Sequence, residues 1–411
     1  MTPPVKLLFL TPQLPHPPRQ GTALRNWGLI SHLAARGHEV SLLSFDEDGA
    51  PLSPELQRAC ARIVRVRVPR RGTAARLRTL ALSPLPDMAW RLWSPEFQRE
   101  CVALLREAAP DILQVEGIEL ARYALESGGA RLPRVVFDDH NCEYLFQKRA
   151  FDTDARRPSR WHGAAYSFVQ WQRLRGFERR AVQHADATLC VSDQDQALLS
   201  QLAPGARIRV IYNGIDVAAY DRPQESGSYQ AQAPTLVFTG KMDFRPNIDA
   251  ALWMAQVVLP AVAAAIPDVR LLIVGQKPGP RLDVLRGDPR ISLTGAVDDI
   301  QPHIRQAAVY VAPLLAGGGT RFKLLEAMAL RKAIVSTTLG AEGFAVASGR
   351  EMVLADRPEA FADAVARLLR EPAARLALGE RARAFVQANY DWSSIVPRLE
   401  QEYARLLDTP P

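Results

Sequence analysis

The run Gly317-Gly318-Gly319-Thr320-Arg321-Phe322-Lys323-Leu324-Leu325-Glu326 follows a strand-like apolar stretch, Val309 to Ala312, and leads into a helix-like one, Glu326 to Leu330. Three glycines let backbone N–H groups come close to a ligand, and the helix start adds unpaired donors at the positive end of its dipole. Lys323 and Glu326 are three apart and share one helical face, a cation for phosphate followed by a carboxylate for hydroxyls. Phosphate beside sugar is the signature of a nucleotide. A plain glycine-rich turn before an ordinary helix fits the same ten residues.

Outward from this stretch, short β-branched runs alternate with helical ones. Lys6 to Leu10 reads as a strand, Gly21 to Gly37 as a helix carrying Leu24, Trp27, Ile30, Leu33 and Ala34 at helical spacing, and Glu39 to Phe45 as a strand. Ile63 to Val68 alternates apolar residues with arginine, as a half-exposed strand does. Asp111 to Val115, Val135 to Asp138 and Ala187 to Val191 follow, each separated by enough chain for a crossover helix. Turn chemistry then intervenes from Ile211 to Gln232, beginning at Asn213-Gly214. The alternation restarts with Leu236 to Thr239, a helix from Ile248 to Ala265, Val269 to Val274, Val309 to Ala312 and Ala333 to Ser336. Such order predicts an α/β chain with two Rossmann-like domains of parallel sheet flanked by helices. Trp392 to Leu407 places Ile395, Leu399, Tyr403 and Leu406 at helical spacing and closes the chain as an amphipathic helix.

At 411 residues, 47% apolar and 23% charged, the chain has ample material for two or three cores. Cys60, Cys101, Cys142 and Cys190 are scattered without a CxxC pair, which argues against a disulfide framework or zinc site. The run from Ala250 to Ile266 is interrupted by Gln256 and Pro260 and reads as a buried helix, too short to span a bilayer. Met1 to Lys6 shows no signal-peptide pattern, so a cytoplasmic protein is expected. The net charge of +7 is uneven. Leu56 to Pro86 has no acidic residue and eight arginines: Arg58, Arg62, Arg65, Arg67, Arg70, Arg71, Arg76 and Arg78. A second basic region, Arg156 to Arg180, interleaves arginines with Trp161, Tyr166, Phe168, Trp171 and Phe177. Anionic lipid headgroups fit these regions as well as a merely solvated face does. No nucleic-acid module is visible, so no nucleic-acid partner is expected.

Ligands of doubly wound sheets bind beyond the carboxyl ends of the strands. The loops there hold Pro17-Pro18-Arg19-Gln20-Gly21, Asp139-His140-Asn141, Gly240-Lys241-Met242-Asp243, Gly275-Gln276-Lys277 and the opening run. Five strand ends thus carry Gly, His, Lys or Arg, the residue types an anionic nucleotide needs.

Taken in order, these residues resemble the retaining GT-B glycosyltransferases, and most closely glycosyltransferase family 4. The resemblance covers nearly the whole chain. Its motifs are Pro17-Pro18 through Gly21, Arg25, Ala34 to Val40, Phe137 to Asn141, Ala185-Asp186 through Ser192, Tyr212 to Asp216, Phe238-Thr239-Gly240, Pro246-Asn247, Ile273-Val274-Gly275, Gly317 to Ala329 and Gly340 to Gly343. Each is weak alone, and the order and spacing make them strong together. The resemblance implies two Rossmann-like domains facing across a deep cleft: an acceptor-side domain over 1–211, a nucleotide-sugar domain over 212–390, and a terminal helix over 391–411 packing back on the first domain. It implies a nucleotide-sugar donor, a saccharide or lipid-linked acceptor, and no metal or other cofactor.

Carried onto this sequence, the resemblance gives Glu326 the ribose hydroxyls and Lys241 the donor diphosphate, with Lys323 and Arg321 apt for the same task. Gly21 lets the first loop approach the donor. Gly240, Gly275, Gly318 and Gly319 line the donor site, and Thr320 caps the helix start. His140 takes the place beside the reacting anomeric carbon. Two positions depart from the pattern. The first glutamate of the E-x7-E motif is Gly318, so no carboxylate nucleophile stands there. The other diphosphate lysine corresponds to Asn247, for which Arg321 or Lys323 compensates. Leaving-group stabilisation by Lys241, Lys323 and Arg321 is the chemistry that remains. A GT-B sugar-nucleotide epimerase or hydrolase acting without an acceptor is the alternative. A metal site of His140 with Asp138 and Asp139 is disfavoured, because adjacent strand residues point to opposite faces. Asp152-Thr153-Asp154, a DxD read in a looped segment, is taken as chance, and a thiol role for Cys142 is not expected. The arginines Arg58 to Arg78 are where contact with the inner face of an anionic membrane is expected.

Overall fold

A computed structural model describes residues 3–18, 21–47, 49–126, 133–156, 161–221, 234–316 and 321–408. The chain divides into two compact units, one made of Met1–Tyr212 with Ile395–Pro411, the other of Asn213–Ser394. Gly318, Gly319 and Thr320 lie outside the described residues.

The first unit is built on seven parallel strands: β1 (Lys6–Thr11), β2 (Glu39–Asp46), β3 (Arg62–Arg67), β4 (Ile112–Glu116), β5 (Arg134–Asp139), β6 (Ala187–Cys190) and β7 (Ile208–Val210). Their spatial order is β3-β2-β1-β4-β5-β6-β7. The central strands are near-continuous apolar runs because helices cover both faces, and Leu8, Leu10, Leu113, Val115 and Phe137 form the heart of the core. The order reverses between β1 and β4, so the crevice for a ligand opens at their carboxyl ends.

The second unit repeats the plan with six parallel strands: β8 (Thr235–Thr239), β9 (Arg270–Val274), β10 (Ile291–Leu293), β11 (Val309–Ala312), β12 (Ala333–Ser336) and β13 (Val353–Leu354). Their order is β10-β9-β8-β11-β12-β13, with the switch between β8 and β11. One helical run in this unit, Arg245–Ala265, is long and apolar enough to cross a membrane. Ala250, Ala251, Met254, Val258, Leu259 and Val262 along it are nevertheless core residues of the unit. Pro260 is accommodated just after a π-helical turn, Met254–Val258, rather than ending the helix.

The closing helix, Trp392–Asp408, buries Ile395, Leu399, Tyr403 and Leu406, the stripe its spacing predicts. Its latter part belongs to the first unit. Glu400 accepts from Arg36 Nε (2.6 Å) and Nη2 (2.7 Å) and meets His38 Nε2 at 3.0 Å. One expectation needs correction. Asp152-Thr153-Asp154 lies in the helix Glu143–Ala155, not in a loop. The helix after the glycine run has Arg321 at its N-cap position, with extended backbone and no side-chain cap; Thr320, expected to cap this helix, lies outside the described residues.

Candidate functional site

In the second unit, β8, β9 and β11 end side by side, and the candidates Gly240, Gly275, Arg321, Lys323 and Glu326 lie on the loops and helix beyond them. Gly240, directly after β8, donates its N–H to Val274 O at 3.0 Å. A Cβ on Gly275 would fall 1.7 Å from Gly240 O, so only glycine permits this backbone approach. A Cβ on Gly240 would lie 2.8 Å from Lys323 Nζ and 2.7 Å from Asn247 Nδ2. The bare glycine is thus what gives the Lys323 ammonium its place at the strand end.

Lys323 and Glu326 sit on the helix Phe322–Ala329, whose Leu324, Leu325, Ala327, Met328 and Ala329 are buried. The three-residue spacing leaves both ionisable groups on the one stripe that is not sealed into the core. Lys323 Nζ donates to Asn247 Oδ1 at 2.8 Å and lies 4.7 Å from the centre of the Phe238 ring. Asn247 in turn donates to Lys241 O at 2.9 Å. Asn247 therefore holds Lys323 with a neutral amide. Burial, reinforced by the Arg321 cation, lowers the Lys323 ammonium to about 7, with Glu326 pulling the other way. Burial likewise raises the Glu326 carboxyl to about 7, against the Tyr220 hydroxyl that donates to its Oε1 at 3.4 Å. Lys241 is exposed and contributes its carbonyl to this network. Tyr220 and the bridging role of Asn247 were not anticipated; a tyrosine in a turn-rich segment carries no signal of its partner.

In the first unit, Gly21 is the exposed first residue of the helix Gly21–Ala35, at the end of the loop that follows β1. His140 follows β5, and Glu116 ends β4 beside it. His140 Nε2 and Glu116 Oε2 are 2.8 Å apart. Glu116 also accepts from Gln114 Nε2 (2.6 Å) and from the Asn26 amide (2.7 Å), and Gln114 accepts from the Tyr403 hydroxyl of the closing helix. Burial opposes charge on the imidazole, but the Glu116 hydrogen bond and the nearby carboxylates outweigh it and raise the His140 pKa. The Glu116 carboxyl is raised as well, by burial and by Asp138. Glu116 escaped the sequence reading because its strand was expected to end one residue earlier, at Val115.

Asp138 and Asp139 point to opposite faces, as expected. Asp138 takes a two-pronged bond from buried Arg25, Nε to Oδ2 at 2.9 Å and Nη2 to Oδ1 at 3.0 Å. Asp139 faces Glu178 on the other side, and burial together with that neighbour raises its carboxyl well above the usual range. The atoms of Glu116, Asp138 and His140 that could ligate a metal lie within 4.8 Å of one another, a grouping different from the one weighed in the sequence. Arg25 already occupies both Asp138 oxygens, and His140, Gln114 and Asn26 occupy Glu116. A cation would have to break these bonds to bind.

Comparison with known proteins agrees with this geometry. The model of the Glycosyltransferase Family 4 domain matches residues 20–219, and that of Glycosyl transferases group 1 matches residues 233–371. The phosphatidyl-myo-inositol mannosyltransferase of Mycolicibacterium smegmatis is 34% identical over 200 residues, 47% of this chain and 50% of that protein. The chain thus spans about half the length of that curated relative. Among solved structures, sucrose-phosphate synthase from Thermosynechococcus elongatus superposes with a TM-score of 0.71 at 18% identity, covering 98% of this chain and 99% of that one. An Anabaena protein crystallised with UDP and glucose gives 0.66 at 16% identity, covering 97% and 99%. With family models over residues 20–219 and 233–371 and the fold shared over nearly the whole chain, the chain belongs to the family 4, group 1 glycosyltransferases and has the GT-B fold.

Proposed function

We propose that the protein transfers a sugar from a nucleoside-diphosphate donor to a saccharide or lipid-linked acceptor, with retention of anomeric configuration, in the building of a cell-surface polysaccharide or glycolipid. The observation that carries this reading is the half-buried Lys323 ammonium, held against Gly240 and Phe238 one helical turn before Glu326. A cation and a carboxylate so spaced match the diphosphate and the ribose of one nucleotide. The mannosyltransferase relative acts on a phosphatidyl-inositol, and the Anabaena structure holds UDP, which supports a nucleotide donor and a glycolipid acceptor here.

As the donor's glycosidic C–O bond breaks, its electron pair passes to a diphosphate oxygen. Lys323, Arg321 and Lys241 stabilise that charge where it develops, and Glu326 holds the ribose. Gly318 offers no nucleophile, so the acceptor oxygen bonds to the anomeric carbon on the face the diphosphate leaves, and its proton goes to the departing phosphate. His140, oriented by Glu116, is the first unit's contribution at the transferred sugar. No metal has a part in this scheme. The setting is the cytoplasm, at the inner face of the membrane.

The test pairs a thermal-shift panel of nucleoside diphosphates with a transfer assay using the matching labelled nucleotide sugar. Stabilisation by one nucleotide and label in product only when acceptor is present support the proposal. Rapid conversion of the donor with no acceptor favours the epimerase or hydrolase instead. No stabilisation by any nucleotide overturns both.

A further inference from the structure

Gln114 and Glu116 lie on β4, at the switch of the first sheet, and alternate residues of a strand share one face. Both are fully buried, in a central parallel strand where apolar side chains are the rule. A buried amide and a buried carboxyl are tolerated there only if their polar atoms find partners.

The partners form one chain within the first unit. Gln114 Nε2 donates to Glu116 Oε1 at 2.6 Å. Glu116 Oε2 receives the Asn26 amide at 2.7 Å and meets His140 Nε2 at 2.8 Å. With its amide nitrogen committed to Glu116, Gln114 turns Oε1 the other way, where it accepts from the Tyr403 hydroxyl. Burial, with Glu116 and Asp138 close by, raises that hydroxyl well above its usual range, so it stays protonated and able to donate.

Tyr403 arrives from the far end of the sequence. In the buried stripe Ile395, Leu399, Tyr403 and Leu406 of the closing helix, its hydroxyl is the one polar group. Glu400, one turn earlier, ties the helix to Arg36 and His38, and Glu402 pairs with Arg207 and Arg209. Ion pairs flanking Tyr403 thus fix the helix, and with it the hydroxyl. Phenylalanine would fill the same space; what tyrosine adds is the bond to Gln114.

We infer that Gln114 and Tyr403 are positioning residues for His140, the closing helix fixing the imidazole through Tyr403, Gln114 and Glu116 in series. A lone glutamate swings about its own side-chain torsions and carries the ring with it. An amide on its first oxygen, itself held by the hydroxyl behind it, stops that swing. The ring is thereby held with Nε2–H toward Glu116, which leaves Nδ1 for a substrate group. The effect on turnover rests on the placement of His140 at the transferred sugar; the effect on the imidazole does not.

The experiment compares the full-length parent with Tyr403→Phe, Gln114→Met and the double variant. Leu406→Ala, which weakens the packing of the same helix and removes no hydrogen bond, is the control. In protein carrying isotope-labelled histidine, the Nε2–H resonance of His140 is identified by its loss in His140→Gln. Its exchange with water should quicken about tenfold in each single variant and no further in the double one, because both act through one chain. Turnover in the transfer assay should fall about tenfold in the same three variants, with KM for the nucleotide sugar within about twofold of the parent. Leu406→Ala should lower the unfolding temperature and leave exchange and kcat as in the parent. No Nε2–H resonance in the parent, unchanged exchange in Tyr403→Phe, additive losses in the double variant, or equal changes in Leu406→Ala would each overturn the inference. If the parent transfers no sugar, the proposed activity fails, and the exchange rates still decide whether the closing helix holds the ring.

Discussion

Lys323 offers the most demanding test of the donor site, because the structure gives it a charge state that a diphosphate must change. Its ammonium is lowered to about 7 by burial and by Arg321. At pH 8 only about one tenth of such lysines carry the proton. A bound diphosphate returns the pKa above about 9, so roughly nine tenths become charged. Each nucleotide bound at pH 8 should then take up about 0.8 proton. Glu326 adds little, since a carboxyl at about 7 is already mostly ionised at pH 8 and ribose hydroxyls favour that form. Titration calorimetry in two buffers of different ionisation enthalpy measures the uptake directly. Affinity should fall roughly tenfold for each pH unit between about 7 and 9.

The variant Lys323→Met keeps the stem and removes the charge. It should lose the proton uptake and bind about 10–100-fold more weakly, the worth of one or two charge-assisted hydrogen bonds. The sign for stability is opposite. A lysine whose folded pKa lies below its unfolded one costs most at low pH, where the folded state must carry the charge, and the cost fades as pH rises from about 7 toward 10.5. The nucleotide-free variant should therefore unfold at higher temperature than the parent at pH 6.5, and the gap should narrow by pH 9. Proton uptake near zero in the parent, or the same uptake in Lys323→Met, would refute the placement of the diphosphate at this lysine.

Glu116→Gln removes the carboxylate that raises His140, so the histidine pKa measured by NMR should fall while the fold stays intact; an unmoved value counts against the pairing. Arg25→Met leaves the buried Asp138 carboxylate without its partner and should cost about 3–5 kcal/mol in denaturant unfolding. Gly275→Ala drives a methyl group onto Gly240 O, 1.7 Å from where its Cβ must sit. A loss of about 2–4 kcal/mol by thermal unfolding, with nucleotide binding abolished in whatever remains folded, is expected.

Much of this fold was legible in the sequence, for a physical reason. Central parallel strands are sealed on both faces and must be apolar throughout, so β11 and β12 were found to the residue and the other core strands to within one or two. The edge strands β7, β10 and β13 have only three, three and two residues and are defined by their neighbours, which local sequence does not report. The same limit governs the site. Lys323 and Glu326 were legible because helical spacing alone puts them on one face. Glu116 meets His140, while Asn26 and Tyr403 reach it only through Glu116 and Gln114; these partners come from separate parts of the chain and had no local pattern to betray them. The arginine-rich run was legible as charge, but not as charge already spent on Glu107, Asp46 and Asp87.

Partnering also separates the buried cations by purpose. Arg25 is matched by a full carboxylate and two carbonyls, which is a structural pairing. Lys323 has a neutral amide, an aromatic face and a second cation close by, an arrangement that leaves room for an incoming anion. Lys332 tests the distinction, for burial lowers it too, to about 8, with Arg305 and Arg375 nearby. Yet its ammonium donates to Arg305 O and, at 2.9 Å, to Ala307 O, satisfying the carbonyls that end the helix Gln301–Gln306. Lysine at a helix carboxyl end is a cap. Lys332→Met should accordingly cost about 1–2 kcal/mol of stability and leave nucleotide affinity and proton uptake as they are. If Lys332→Met weakened nucleotide binding as much as Lys323→Met, buried cationic character alone would account for both effects. The neutral partner of Lys323 would then no longer mark the donor site.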